Sequence, residues 1–378
     1  MTDRGGLEEA VVADITTSYI DGSTGELIYC GYAIEDLAET TSFEEILFLL
    51  YNARLPNQAE YEALRATVAQ DAAIPAAVIQ MMKSLPSGTP AMAVLRTAVS
   101  MLSAFEPDAE NLTDKDVAQA KAFRLTGQIT TICAAWMRIA KGQAPICPRP
   151  DLSVAENFLY MTTGEEPDPT ACAALNVYLV LLAEHGMNAS TFASRVVTAT
   201  GSDLHSAIVA GISALKGPSH GGANSEAMKM FVEIGEVENV APWFEKNVKS
   251  GKRRIMGIGH RVYKSNDPRA GILRRHAEAL AESSGKRKWF DIAVNLAETA
   301  RADDYFIQRN LYPNVDYYSA IVLYTLDLDI DMFTPLFAMS RIAGWSAHVI
   351  DQMGGRLIRP KANYVGPRGL KWIPISER

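Results

Sequence analysis

Cysteine is scarce, and nothing in the spacing joins the four that are present. Cys30, Cys133, Cys147 and Cys172 are scattered through apolar or loop contexts with no CxxC pair, which excludes a disulfide-dense secreted scaffold and fits a reducing compartment. Long hydrophobic runs are missing too. The longest, such as Ile46 to Leu50 and Val177 to Ala183, stop far short of the roughly 18 residues of a membrane span. A net positive charge is also absent. With 44 acidic against 36 basic residues the formal charge is −8, so the surface as a whole repels nucleic acid and anionic lipid, and an anionic ligand has to be met by a local basic site. The opening MTDRGGLEEAVV has neither the basic-then-apolar order of a secretory signal nor the arginine-rich character of a transit peptide. The expectation is a cytoplasmic protein with no membrane and no nucleic-acid partner.

What is present is the grammar of helices. A chain of 378 residues with 48% hydrophobic content can bury a large core and is long enough for two domains. The segment ITTSYIDGSTGELIYCGYAIEDLAE alternates apolar and polar residues around Asp21-Gly22 and Thr24-Gly25, which predicts a short β-hairpin. From Ser42 a capping-box pair with Glu45 opens a helix that stops at Leu55-Pro56. Proline and acidic clusters in EPDAENLTD, APICPRPD and GEEPDP punctuate the Ala- and Leu-rich stretches that follow. The expected class is mainly α, a multi-helical protein with one small hairpin.

Three helix boundaries place candidate chemistry. Asp203 can cap a helix whose stripe is Leu204, Ile208, Ile212 and Leu215 and whose end is Lys216-Gly217-Pro218. His220 falls just beyond that end, and Gly221-Gly222-Ala223-Asn224 lets backbone approach a ligand before the next helix starts near Ser225. Asp267-Pro268 and Thr334-Pro335 each read as an N-cap followed by proline at the first helical position. Arg269 then lies in a first turn. Arg341 lies on a helix whose apolar stripe, Leu336, Met339, Ala343 and Ile350, points elsewhere.

Of six histidines, His220 in GPSHGG and His260 in GIGHRV stand in glycine-flanked turns, where a ring that titrates near neutrality can exchange protons with a ligand. Either one alone could equally hold a loop. Asp316 in NLYPNVDYYS precedes an apolar helical run, and a helix N-terminus favours the carboxylate form; taken singly, such an aspartate is more often a plain cap. Gly257-Ile258-Gly259 lacks the third glycine of a dinucleotide fingerprint. Ser219 lies in no GxSxG turn, and neither HExxH nor a P-loop occurs. His276, beside Arg274-Arg275, reads as exposed, His348 as a packing residue, and His205 has no assigned part.

The stretches GPSHGGANSEAM, MGIGHRVYKSNDPRA, LYPNVDYYS, SRIAGWSAH and RLIRPKANYVG follow the order and spacing of the citrate synthase family, and IDGSTGELIYCGYAIEDLA resembles its amino-terminal signature. The resemblance covers nearly the whole chain. It implies the two-domain multi-helical citrate synthase fold, with residues 1–219 and 322–378 in a large domain, 220–321 in a small one, and the site in the cleft between them. It implies that Asp316 removes a methyl proton from acetyl-CoA, that His220 bonds the thioester oxygen, and that His260 polarises the keto oxygen of oxaloacetate. His185, Arg269 and Arg341 match oxaloacetate-binding residues. Arg359 matches an arginine that reaches the neighbouring subunit's site, which implies a homodimer, possibly within a higher oligomer. Ile255, Gly257, Gly259 and Lys264 match the part that holds CoA, whereas Lys252, Arg253 and Arg254 read as a solvated basic turn. No tightly bound cofactor and no metal are implied; acetyl-CoA and CoA are co-substrate and product. Two alternatives stay open: a 2-methylcitrate synthase using propionyl-CoA, and a silent regulatory or assembly homologue. Cys30 replaces the signature's usual arginine, and Ala320 stands where many relatives have glycine.

Overall fold

The structure, a computed structural model, describes residues 6–7, 10–108 and 113–378. Part of the amino-terminal stretch read for targeting signals, and residues 109–112 of the EPDAENLTD cluster, lie outside them. Seventeen α-helices dominate the described residues, and none is long and apolar enough to cross a membrane.

The expected hairpin is present, and it carries one more strand than the turn signals announce. Strands Ser18–Asp21 and Glu26–Tyr29 pair antiparallel, closed by a bond from Gly25 N to Asp21 O of 2.9 Å. A two-residue loop, Cys30-Gly31, then returns the chain to a short strand, Tyr32–Ala33. Both loop residues are left-handed, with φ of 47° and 93°. That is the twist a two-residue hairpin requires, and it places the departure at Cys30 in a conformation that side chains seldom adopt. The sheet is tied to the helices by Tyr29, fully buried, whose hydroxyl donates to Glu184 O at 2.8 Å and accepts from Glu184 N at 3.2 Å.

Helix starts follow side-chain chemistry. Ser42, Asn57 and Ser153 form complete capping boxes with Glu45, Glu60 and Glu156. Asp203 caps Leu204–Leu215 and Asp267 caps Pro268–Ser283, as expected. Thr334 does not act as a cap. Helix Phe333–Gln352 starts before it, entered through the 3-10 turn Ile330–Met332. Pro335 is tolerated there because the first-turn N–H groups have no intrahelical partner. The Thr334 hydroxyl instead donates to Gly221 O at 3.1 Å, fastening this helix to the turn beyond His220. The single-stripe reading also fails. Nearly every residue of Phe333–Gln352 is buried, Arg341 is 2% exposed, and Ile350 is one of the few partly open positions. A helix packed on all sides has no polar face to reveal it. His276 is partly buried beside Glu39, at 3.0 Å, and not freely exposed.

Phe333–Gln352 runs against Lys115–Ala140, Pro169–Leu182, Ala189–Thr198 and Leu204–Leu215. A second group, Ala223–Ile234, Pro268–Ser283, Arg287–Arg301 and Val315–Thr325, packs around Tyr317, whose ring meets Phe231 edge-on at 5.0 Å and whose hydroxyl donates to Ala293 O at 2.7 Å. Helix Pro268–Ser283 also touches Pro169–Leu182, so the two groups share a border.

Close helix crossings depend on small residues. A Cβ on Gly127 would lie 2.4 Å from Val68 O and 2.9 Å from Ala72 Cβ. Gly127→Ala is expected to lower stability by about 1–3 kcal/mol through overpacking, read as a lower urea midpoint. An unchanged midpoint would mean that helix Gln58–Gln70 moves aside freely.

Candidate active site

Asp316 is the second residue of helix Val315–Thr325, and the capping role belongs to Asn314, whose Oδ1 accepts from Asp316 N at 2.9 Å. The Asp316 carboxylate therefore has no capping duty, and it makes no hydrogen bond among the described residues. The helix end does not hold it at an ordinary acidity. Burial pushes its pKa up from 3.8 to about 6, Asp267 adds to the rise, and Arg269 and Arg341 restrain it. A carboxylate in this state is a base matched to neutral pH.

His220 sits in a tight turn made by bonds from His220 N to Gly217 O and from Gly221 N to Leu215 O. Its Nε2 accepts from Ser190 N at 3.3 Å and lies 2.8 Å from Ser190 Oγ. Ser190 is itself fixed by Asn188 Oδ1 at 2.7 Å and Trp345 Nε1 at 3.0 Å. A backbone N–H can only donate, so Nε2 carries the lone pair and the proton of the neutral ring sits on Nδ1. His260 has the opposite tautomer. Its Nδ1 accepts from Val262 N at 3.1 Å and Tyr263 N at 3.2 Å, which puts the proton on Nε2. Burial lowers both imidazoles to about 4, assisted by Arg341 for His220 and by Arg269 for His260. Each is thus a neutral ring with one N–H to offer.

His185 completes an aromatic group with His260 and Tyr263. Ring centres lie 5.5 Å from His185 to His260 and 4.9 Å from His260 to Tyr263, and His185 Nε2 is 3.2 Å from the Tyr263 hydroxyl. Burial, then Arg269, Arg341 and His260, hold its pKa well below the usual value.

Arg269 and Arg341, both 2% exposed, differ in their partners. Arg269 is forked onto Asp267, with Nε and Nη2 each at 2.9 Å. Arg341 gives only Nε, to Leu182 O at 2.7 Å, and neither terminal nitrogen has a hydrogen bond among the described residues. The two cations repel each other, and burial lowers the pKa of Arg341. The structure therefore brings His185, His220, His260, Asp316, Arg269 and Arg341 into one electrostatic cluster. Arg359 stands apart, exposed in the extended stretch beyond Phe333–Gln352 and without an ion pair among the described residues.

The His260 loop is sewn to the Asp316 loop. Asn314 N donates to Gly257 O, Gly259 N to Tyr312 O and Asn314 Nδ2 to Gly259 O, each at 2.8 Å, and Ile258 bridges Pro313. Gly257 and Gly259 have φ of 78° and 88°, and a Cβ on Gly257 would lie 2.8 Å from Tyr317 Cα. The glycine requirement at Gly257 comes from this backbone approach. Ile255 is buried, and the exposed Lys264 turns its ammonium to His260 O at 3.4 Å and Arg261 O at 3.2 Å.

Beside His260 a cleft of about 1080 Å³ opens, floored by Phe244, Ile258 and Leu311. Lys252, Arg253 and Arg254 line its wall along with Lys249, Arg261 and Arg309, so the 252–254 turn borders a cavity. Tyr263 and Asp267 lie in the stretch MGIGHRVYKSNDPRA, Asp267 already as a helix cap, but the sequence offered no sign of their contacts here, nor of Arg309 or Ser190.

Residues 6–361 match the family described as "Citrate synthase, C-terminal domain". The chain is 45% identical over 380 residues to citrate synthase 2 of Bacillus subtilis (strain 168), covering 100% of each chain. It is 39% identical to the 2-methylcitrate synthase of Mycobacterium tuberculosis (strain ATCC 35801 / TMC 107 / Erdman), covering 96% of this chain and 90% of that one. Among solved structures, the citrate synthase of Pyrobaculum aerophilum superposes with a TM-score of 0.93 at 38% identity, covering 98% of this chain and 94% of that one. The ternary complex of carboxymethyl coenzyme A and oxalateacetate with the citrate synthase of Thermoplasma acidophilum gives 0.92 at 37% identity, covering 98% of each. The fold is thus that of a helical acyl-transferring enzyme. The chain belongs to the citrate synthase family, and citrate synthase activity follows at the level of that family.

The Asp316 shift has a stability consequence. Its folded pKa lies above the ordinary value of 3.8, so the stabilisation from holding that proton is complete below about 3.8 and is lost as pH rises through about 6. Asp316→Asn removes the buried charge. It is expected to raise stability at pH 8 by about 2 kcal/mol, with the gain fading towards pH 4. Thermal melts at the two pH values check this; a gain that does not change with pH would contradict it.

Proposed function

We propose that this chain condenses acetyl-CoA with oxaloacetate and water to give citrate and CoA, with Asp316 as general base and His220 and His260 as neutral hydrogen-bond donors. The observation that carries the proposal is the combination of one aspartate raised to about 6 with two imidazoles lowered to about 4 and protonated on opposite nitrogens. A thioester methyl is a very weak acid, so its proton leaves only if a base and an oxyanion donor act together. Asp316 takes the proton while Nδ1–H of His220 bonds the thioester oxygen, giving an enol or enolate. Its carbon attacks the keto carbon of oxaloacetate as Nε2–H of His260 bonds the oxygen that becomes the alcohol. Hydrolysis of citryl-CoA then releases CoA.

Charge supports the substrate assignment. Oxaloacetate carries two carboxylates, and the unbonded terminal nitrogens of Arg341, with Arg269 and His185 nearby, suit bidentate recognition. The basic wall and apolar floor of the neighbouring cleft suit the phosphates and acyl arm of CoA, with Ile255 and Gly259 among its lining residues; Gly257 and Lys264 do not line it, and their part in holding CoA rests on the resemblance alone. Residues 220–321 act as a small domain that closes over oxaloacetate and excludes water during condensation. The working unit is a homodimer. Its support is Arg359, stranded in its own chain, and a carboxy-terminal stretch that leaves Leu370, Trp372 and Ile375 each more than three-quarters exposed.

A second reading, 2-methylcitrate synthesis from propionyl-CoA, is favoured by the mycobacterial relative, and one methylene is worth only about 1–3 kcal/mol. Specificity constants measured by thiol release with oxaloacetate decide between them. Acetyl-CoA is expected to lead by at least about tenfold; a lead for propionyl-CoA would establish the second reading. Asp316→Asn is expected to bind oxaloacetate yet lose about 10²- to 10⁴-fold in turnover, and the kcat/KM of the unaltered enzyme is expected to fall below about pH 6. Unchanged turnover would remove Asp316 from the base role.

A further inference from the structure

Glu184 is fully buried next to His185 and has no part in the chemistry above. Burial pushes its carboxyl up, but His348 and Arg341 outweigh that and leave it lowered, hence ionised. Oε1 is crowded with donors: Gly186 N at 2.7 Å, Ser18 Oγ at 2.9 Å and His348 Nε2 at 3.0 Å. Oε2 receives no hydrogen bond among the described residues. His348 is fixed in turn. Arg195 Nη1, which can only donate, lies 3.2 Å from His348 Nδ1, so the His348 proton sits on Nε2 and points at Glu184. The same Arg195 nitrogen reaches Asp351 at 2.8 Å, which is half exposed. A row of alternating charges and donors thus leads from the surface to the buried carboxylate.

That row lies along one face of helix Phe333–Gln352. Ser340 Oγ donates to Leu179 O, Arg341 Nε to Leu182 O and Gly344 N to Ala183 O, the carbonyls at the end of helix Pro169–Leu182 that have no helical partner. His348 then meets Glu184 one turn further on. A Cβ on Gly344 would come within 2.4 Å of Glu184 Oε2, so the unbonded oxygen lies against the backbone one turn from Arg341. Of the two guanidinium groups assigned to oxaloacetate, Arg269 has a bonded carboxylate and Arg341 has none; the strongest opposite charge acting on Arg341 is Glu184.

We propose that Glu184 is a positioning residue for oxaloacetate recognition: its carboxylate, locked by the Arg195–His348 relay, is the counter-charge that holds the Arg341 guanidinium and the His185 turn in binding geometry. The proposal rests on the assignment of Arg341 to oxaloacetate. Glu184→Gln keeps the shape and can still offer an oxygen to Ser18, Gly186 and His348. Its amide is uncharged, so the variant keeps the hydrogen bonds of Oε1 and removes only the negative charge that acts on Arg341.

The expected result is a rise of roughly tenfold or more in the KM for oxaloacetate, with kcat and the KM for acetyl-CoA moving less than about threefold. A merely structural role would lower the active fraction, and so kcat, and leave KM alone. His348→Ala is expected to move the oxaloacetate KM in the same direction, and His348→Gln, which still has an N–H to donate, to recover at least part of it. Should Glu184→Gln fail to fold, as judged by circular dichroism, the His348 pair decides. An unchanged oxaloacetate KM in folded variants, or equal rises for both substrates, overturns the proposal. Calorimetric titration of Arg341→Ala with oxaloacetate separates the levels. Normal binding there defeats the substrate assignment itself, whereas lost binding there with an unchanged Glu184→Gln defeats only this inference.

Discussion

Two guanidinium groups are held close together and away from water, and only Arg269 has a carboxylate bonded to it. A positive charge with no carboxylate bonded to it is costly in a low-dielectric site, and the cost falls when a further negative group arrives. The surrounding electrostatics follow from it. Burial first, and the arginine charges after it, hold His185, His220 and His260 well below their ordinary pKa. Asp316 feels the same burial with the opposite sign and rises, while the two arginines keep it from rising further. One arrangement thus yields neutral imidazoles, a carboxylate raised toward neutrality and a local positive field, the combination on which the proposed chemistry rests.

Geometry is maintained by bonds between segments that are distant in sequence. Ser190 sets the tautomer of His220 from thirty residues away, and Asp267 joins three parts at once: it caps Pro268–Ser283, forks onto Arg269 and accepts from Val315 N at 3.0 Å. The last bond places the Asp316 helix against Arg269. The His260 loop, pinned to Tyr312 and Asn314, completes a frame in which Asp316 and the two imidazoles hold fixed relative positions before any ligand binds.

What the sequence disclosed, it disclosed through local chemistry. Asp203, Asp267 and Ser42 announce helix starts because capping involves residues two or three apart, and His220, His260, Asp316 and Arg269 stand out because their motifs are long. Thr334-Pro335 misled because proline is tolerated anywhere in a first turn, and the 3-10 turn before it leaves no signature. Arg341 was legible as a motif residue, but its all-round burial was not, since a helix packed on every side has no stripe to read. The Cys30-Gly31 turn was hidden because cysteine is not a residue that advertises a left-handed conformation. Tyr263 lies in the His260 stretch, and Glu184 and Ser190 lie close to His185 in sequence, yet the partners of all three are set only by the tertiary fold.

The most direct measurement is a crystal structure of this protein with oxaloacetate and a non-reactive acetyl-CoA analogue. The account predicts the oxaloacetate carboxylates on Arg341 and Arg269, its keto oxygen on His260 Nε2, the thioester-equivalent oxygen on His220 Nδ1, and the Asp316 carboxylate within about 3.2 Å of the methyl-equivalent atom. A ligand held elsewhere, or one of the three side chains still turned away in the closed complex, would contradict it.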